Sequence, residues 1–472
     1  MATTKPAPHI VIFPFMSQGH TLPLLDIAKE LSRRGLQVTI ITTPSNAESI
    51  QPDMAKHSRI SFTLLSFPSI EGLPLGCENT LKLPSRNFMV PFLTSTKVLK
   101  QQFRQVLKQM INEGSKPICV ISDFFLGWTM DVCLEFGIPR MVFNGTAALS
   151  MAITRSLDIT KLQETVTSDA EPIHFAGKEL PFTVTKSDFP GFDLIINDSP
   201  MSKLLAESGE AEAKSWGVLM NTFVELEASH LTLLETIFKN GAKGWPVGPL
   251  LLYNEESQSN DNISSSTKAC LAWLDSFIKK PASVLYASFG SQAFLSDKDL
   301  DEIGYGLEMS GHHFLWLVSS RTWSPLEGLE ERVRGRGMIM RDWIEQRKVL
   351  SHSAIGGFLS HCGWNSVLES LSAGVPILAL AVSAEQPLNV KQVVHEMKMG
   401  LRIENCGPRG PEKVEIRREA ISEGVVELMG GEKGEEVRAR AAELRKLAKD
   451  AVKEGGSSYN KLTELIDILK AM

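Results

Sequence analysis

Two groups of residues in this chain have the types and spacing that chemistry requires. The first lies near its start. An apolar run at residues 9–15 (HIVIFPF) is followed by Gly19-His20, and a later run at residues 119–122 is followed by Asp123. An imidazole with an ordinary pKa of about 6.5 takes a proton near neutrality. A carboxylate beside it orients the ring and stabilises the imidazolium that forms. Both residues follow strand-like runs, and ligands enter open α/β sheets at the carboxyl ends of strands.

The second group lies between Trp343 and Gln386. A strand-like run ending at Leu359 leads through His361-Cys362-Gly363-Trp364-Asn365-Ser366 into a helical pattern. The first amides of a helix have no intrahelical acceptor, so such a start receives a pyrophosphate. Hydroxyls at Ser291 and Ser366 and the imidazole of His361 add donors as charge gathers on a departing phosphate group. The competing readings are simple N-capping by Asn365 or Ser366 and core packing for a lone His or Trp.

The elements that must position these groups alternate strand and helix. After the run at 9–15, residues 21–34 place Leu24, Leu25, Ala28 and Leu31 at helical spacing, Gly35 ends the helix, and residues 36–42 (LQVTIIT) are β-branched and apolar. This is a βαβ unit, which feeds a parallel sheet. The alternation recurs at 118–121, 141–143 and 217–220, and a second series runs through 283–289, 314–318, 357–359 and 376–381. Between the two series, residues 255–268 (EESQSNDNISSSTK) are polar and Ser/Asn-rich. The expected organisation is a domain at 1–248, a linker at 249–268, a second domain at 269–455, and a helix at 456–472 that packs back toward the first.

A length of 472 residues fits two large domains, and 43% apolar with 22% charged residues is ordinary globular composition. A net charge of −6 argues against a general nucleic-acid or anionic-membrane surface, so any anionic ligand is held locally. The six cysteines include no C-x-x-C pair, and neither a disulfide framework nor a zinc ribbon is expected. The opening MATTKPAPH lacks the basic start and apolar stretch of a signal peptide, and no uncharged apolar stretch reaches a membrane span. A cytoplasmic monomer is the expectation. The D-x-D spacing at 297–301 follows Ser296 at a helix start, where acidic residues suit the helix dipole, so no metal is assigned there.

Trp343, Gln346, Leu350, His352, Gly356, Phe358, the run from His361 to Ser366, Glu369, Gly374-Val375-Pro376 and Glu385-Gln386 stand at a spacing that resembles the signature box of plant family-1 UDP-dependent glycosyltransferases. The resemblance extends over the chain through Gly19-His20, Ser122 to Phe125, Asn221-Thr222-Phe223, Ser288 to Ser291 and Gly456 to Ser458. It implies an α/β protein of the GT-B fold, two Rossmann-like parallel-sheet domains facing across a cleft. The first shapes an acceptor pocket, and the second holds the nucleotide sugar. The resemblance also implies that Trp343 stacks on uracil, Ile344 meets it through backbone groups, and Gln346 and Glu369 bind the ribose. His361, Gly363, Ser366 and Ser291 serve the phosphates, and Trp364, Asn365, Glu385 and Gln386 surround the sugar. Gly19 joins the donor side, and His20 acts as general base oriented by Asp123. No cofactor or metal is implied, the UDP-sugar being a co-substrate. The sequence departs from the family pattern at Glu345, where Pro is usual, and at Leu380-Ala381, where Trp-Pro commonly stands.

The expected reaction is transfer of a sugar, glucose by preference, from a UDP-sugar to a small apolar or phenolic plant metabolite such as a flavonoid, with inversion. The acceptor wall is assigned to Phe15, Phe88, Phe92, Phe124, Phe125 and Asn144, with residues 183–189 nearby. Attack by an electron-rich ring carbon would give a C-glycoside from the same site. An NAD-dependent oxidoreductase is disfavoured because Met16 to His20 is not G-x-G-x-x-G, and a non-catalytic nucleotide-sugar binder would need neither His20 nor Asp123.

Overall fold

The computed structural model describes residues 7–156, 171–175, 180–189, 199–238, 242–257, 263–290, 295–320, 322–325, 328–404, 406–409 and 413–472. They fall into two compact α/β units, one built from 1–148, 197–258 and 451–472, the other from 149–196 and 259–450.

The first unit is a seven-stranded parallel sheet of β1 (His9–Phe13), β2 (Gln37–Thr42), β3 (Ile60–Leu64), β4 (Cys119–Asp123), β5 (Arg140–Asn144), β6 (Gly217–Met220) and β7 (Lys243–Pro246). Its order is β3-β2-β1-β4-β5-β6-β7, so the winding reverses between β1 and β4. The central strands read as unbroken apolar runs because both faces are covered. Ile10 and Ile12 face one core with the stripe Leu24, Ile27, Ala28 and Leu31 of helix α1 (Gln18–Arg33). Val11, Phe13 and Val120 face another with Phe92, Phe103 and Leu107. Helix α2 (Pro200–Lys214) follows later in this unit, capped by Ser199.

The second unit is a six-stranded parallel sheet of β8 (Val284–Ser288), β9 (His313–Leu317), β10 (Gly337–Met340), β11 (Ile355–Ser360), β12 (Ile377–Ala379) and β13 (Gly400–Arg402). The order β10-β9-β8-β11-β12-β13 reverses between β8 and β11. Helix α3 (Trp364–Ala373) follows β11, and α4 (Gln386–Lys391) follows β12. Both sheets are Rossmann-like, as in the GT-B class, and each reversal makes a switch point at which ligands bind. The final helix, α5 (Ser457–Ala471), sets Leu462, Leu465, Ile466 and Leu469 into the first unit's core beside α1.

Two segment boundaries differ from those expected. Residues 149–196 group with the second unit, because Leu149, Ile153, Val184 and Phe189 bury against Leu388 of α4. The stretch expected as linker is structured on both sides of 258–262, which lie outside the described residues. Leu250 is fully buried in the first core, and Asn254 donates to the Asp26 carbonyl at 3.1 Å. Ser264, read as part of a polar loop, caps the helix Ser265–Asp275 by accepting from the Thr267 amide at 3.1 Å. All six cysteines are buried. Among the described residues, no helix is long and apolar enough to cross a membrane.

Candidate active site

At the first switch point, His20 and Asp123 meet although 103 residues separate them. Asp123 ends β4 and His20 lies in the first turn of α1, so the parallel pairing of β1 with β4 sets both at one sheet edge. His20 Nδ1 lies 2.9 Å from Asp123 Oδ2, and Asp123 Oδ1 accepts the Phe125 amide at 3.0 Å. The carboxylate is fully buried, whereas the imidazole is 27% exposed. With Nδ1 directed at the carboxylate, Nε2 is the ring nitrogen placed to exchange a proton with an acceptor. The rings of Phe15 and Phe125, in contact with each other, each stand 5.4 Å from the imidazole.

At the second switch point, Gly363 stands at the N-cap of α3 and offers no side chain to its first amides. This argues against the capping reading and leaves the helix start suited to an anion. Gly290, at φ 78°, and Gly363 enclose His361, since a Cβ at either would come within 2.8 or 2.6 Å of its ring. Burial pushes the His361 imidazole down to about 4, with the Ser288 backbone acting weakly in the opposite sense. His361 is therefore neutral near pH 7 and donates as an N–H, not as a cation.

Part of the remaining box meets at α3. Trp343 is 49% exposed, unusual for so large an apolar ring, while Ile344 beside it is buried. Glu369 accepts Gln346 Nε2 at 2.7 Å and Arg347 Nε at 3.0 Å, and Gln346 also reaches Ser366 Oγ at 3.0 Å. Tyr286 donates to Gln346 Oε1 at 3.2 Å, which fixes the amide's orientation. Each carboxylate oxygen retains a lone pair for a hydroxyl. Gln386 Oε1 accepts the amides of Val382 and Ser383, each at 2.9 Å, so its NH₂ group is the part left to act outward. Cys362 at φ 61° and Ala384 at φ 54° hold the two turns in left-handed backbone, a conformation that is uncommon without glycine. Asn389 ties these turns together, donating to the Cys362 carbonyl and accepting from Ser150 Oγ.

The other assigned positions divide. Gly19 stands beside His20 in the first unit, apart from the box in sequence and sheet. Ser291 lies outside the described residues. Phe124 and Phe125 are half-buried beside the pair, Phe88 is half-buried against the same core, and Phe15 and Phe92 are core residues, Phe15 in contact with His20. Asn144, the polar residue assigned to the acceptor wall, is engaged within its own unit. It is buried, its Nδ2 donates to the enclosed Glu212 carboxylate at 2.8 Å, and its Oδ1 accepts from Thr146. Residues 183–189 belong to the second unit, where Lys391 pairs with Asp188 at 2.7 Å. In the D-x-D segment, Asp299 forms a capping box with Ser296 and Asp301 accepts from Trp323 Nε1 at 2.8 Å. Sequence reasoning missed Arg347, Tyr286 and Asn389, since a lone buried polar residue leaves no periodic signal.

Comparison with known proteins finds matches over nearly the whole chain. The family model described as "Glycosyltransferase, N-terminal domain" matches residues 8–252, and "UDP-glucoronosyl and UDP-glucosyl transferase" matches residues 265–404. UDP-glucose flavonoid 3-O-glucosyltransferase 7 of Fragaria ananassa is 37% identical, over 97% of this chain and 95% of its own length. The structure of Glycyrrhiza uralensis UGT73P12 complexed with glycyrrhetinic acid 3-O-monoglucuronide is 31% identical with a TM-score of 0.85, covering 98% of this chain and 96% of that one. Phytolacca americana UGT2, complexed with UDP-2fluoro-glucose and pterostilbene, is 30% identical with a TM-score of 0.80, covering 98% of this chain and all of its own.

Proposed function

The chain belongs to the plant UDP-glycosyltransferase family, and from that premise we propose that it transfers glucose from UDP-glucose to a phenolic hydroxyl of a small plant metabolite, with inversion and without a metal ion. The observation that carries the reading is the 2.9 Å contact of His20 with Asp123 at the switch point of the first sheet. The acceptor hydroxyl gives its proton to His20 Nε2 as its oxygen attacks the anomeric carbon. The bond from that carbon to the diphosphate breaks, its electron pair leaving with UDP. Asp123 stabilises the imidazolium meanwhile. The start of α3 and the neutral His361 N–H meet the charge that gathers on the diphosphate. The strawberry relative's flavonoid and the pterostilbene of the Phytolacca complex support a phenolic acceptor.

The test is a panel of UDP-sugars and acceptors, with products identified by mass spectrometry and anomeric configuration by NMR, with and without chelator. The expected result is the greatest turnover with UDP-glucose and phenols, a β-O-linkage, and no effect of chelator. An α-linked product, a C-linked product, or activity lost to the chelator overturns it.

A further inference from the structure

Behind the His20–Asp123 pair lies a charged side chain that the proposed reaction does not touch. Arg140, the first residue of β5, is 1% exposed. It pairs in register with Val120, and its side chain reaches toward the carboxyl end of β4. Its Nε donates to Ser122 Oγ at 2.8 Å and Thr129 Oγ1 at 3.0 Å, its Nη1 to Ser215 Oγ at 2.6 Å, and its Nη2 to the Asp123 carbonyl oxygen at 3.3 Å. We infer that Arg140 is a positioning residue for the proton acceptor, fixing the backbone and the charge state of Asp123 and, through Asp123, the basicity of His20. The inference rests on the reading of His20 as base.

Enclosing a guanidinium costs several kcal/mol in lost hydration, and neutral hydroxyl and carbonyl partners, the Ala211 carbonyl at 3.4 Å from Nη1 among them, do not offset that alone. Burial lowers Arg140 to about 10, still far above neutrality, so the group remains a cation. Its buried counter-charges are Asp123 on β4 and Glu212 on α2. The other titratable groups against it are Cys119 and Cys133, both pushed up by burial and therefore neutral thiols. Further out on the packed helices, Asp131, Glu135 and Glu207 pair with Lys100, Arg104 and Lys97 at the surface. Glu210, Lys203 and Lys214 are exposed. Removing the cation favours protonation of both Asp123 and His20, since each loses a positive neighbour. Both changes move the acid limb of kcat/KM the same way, to higher pH. Removing the Glu212 charge acts in the opposite sense.

The experiment is the pH profile of kcat/KM on an alkyl alcohol acceptor, with an acidic phenol alongside. Arg140→Met is expected to move the acid limb up by about one pH unit and Glu212→Gln to move it down. Arg140→Lys, which keeps the charge but loses the fork, is expected to lower kcat on the alcohol while the limb stays in place. If Arg140→Met does not fold, the Arg140→Met/Glu212→Gln pair removes one charge of each sign and is compared with Glu212→Gln alone. The expected result is again an upward shift. A limb unmoved in every folded variant, with kcat reduced equally on alcohol and phenol, makes Arg140 a packing residue and overturns the inference. Full activity of His20→Ala on alcohols overturns instead the base assignment beneath it.

Discussion

Asn389 donates from Nδ2 to the carbonyl oxygen of Cys362 at 2.9 Å, so the helix that carries Gln386 also fixes the turn that leads into the helix carrying Ser366. The turn needs such a restraint, because left-handed backbone at a residue other than glycine costs on the order of 1–3 kcal/mol. Asn389→Ala leaves the Cys362 carbonyl and Ser150 Oγ without this partner. The expected losses are about 1–3 kcal/mol of stability by denaturant unfolding and several-fold in UDP affinity by calorimetry. Undiminished UDP affinity would show that the turn is held by other means.

Trp343→Ala separates donor binding from folding. With the ring half exposed, the thermal midpoint should stay close to that of the parent. Loss of a stacking face should weaken UDP by about 1–3 kcal/mol, roughly 5- to 150-fold. An unchanged dissociation constant removes the ring from the base site.

His20→Ala should affect acceptors according to their acidity. Transfer to alkyl alcohols should fall by roughly 10²–10⁴, the usual contribution of a positioned base. Phenols, whose pKa is near 10, depend on the base less. Steady-state rates on an acceptor series of graded pKa would show the slope, and a flat series would contradict the assignment.

His361 gives a pH dependence whose sign is fixed. Unfolded, a histidine titrates near 6.5; folded, this one is held at about 4 by burial. Between those values the unfolded chain binds one more proton, so the contribution is intact above about pH 6.5 and lost as pH falls toward 4. Its full size is on the order of 3 kcal/mol. The difference in unfolding free energy between parent and His361→Gln should therefore shift toward the variant in acid. In NMR titrations, bound UDP should raise this imidazole's midpoint by setting negative charge beside it.

Leu465→Ala tests the docking of the last helix. The side chain is 2% exposed among Leu462, Ile466 and Leu31, so truncation should cost about 2–5 kcal/mol. Ile468, 37% exposed at the margin of the buried stripe, should tolerate the same change within about 0.5 kcal/mol. Equal effects at the two positions would refute the packing.

The inner strands could be read from the sequence because burial on both faces makes their middles continuous apolar runs, as in VLYA at 284–287 and MVF at 141–143. The edges could not. Ile60–Leu64 is partly exposed, Gly337–Met340 and Gly400–Arg402 are short and carry glycine, and Lys243–Pro246 contains the proline that marks an edge strand yet reads as a loop. His20 and Asp123 were recognisable by type and by the strands before them. The partner of Asn144 was not legible, because a polar residue at a strand's end turns to solvent or to a buried partner, and Glu212, 68 residues away, decides which. Arg140 gave no signal at all, since its partners come from three separated segments.

The first sheet's core is completed by residues 457–471, which leave the ribosome after every other part of both units. Strands β1 to β7 must therefore wait, with the groove beside α1 uncovered, while the whole of the second sheet is translated. Folding of this chain cannot proceed strictly from front to back, and the interval in which that groove stands open is when the nascent protein most needs a chaperone.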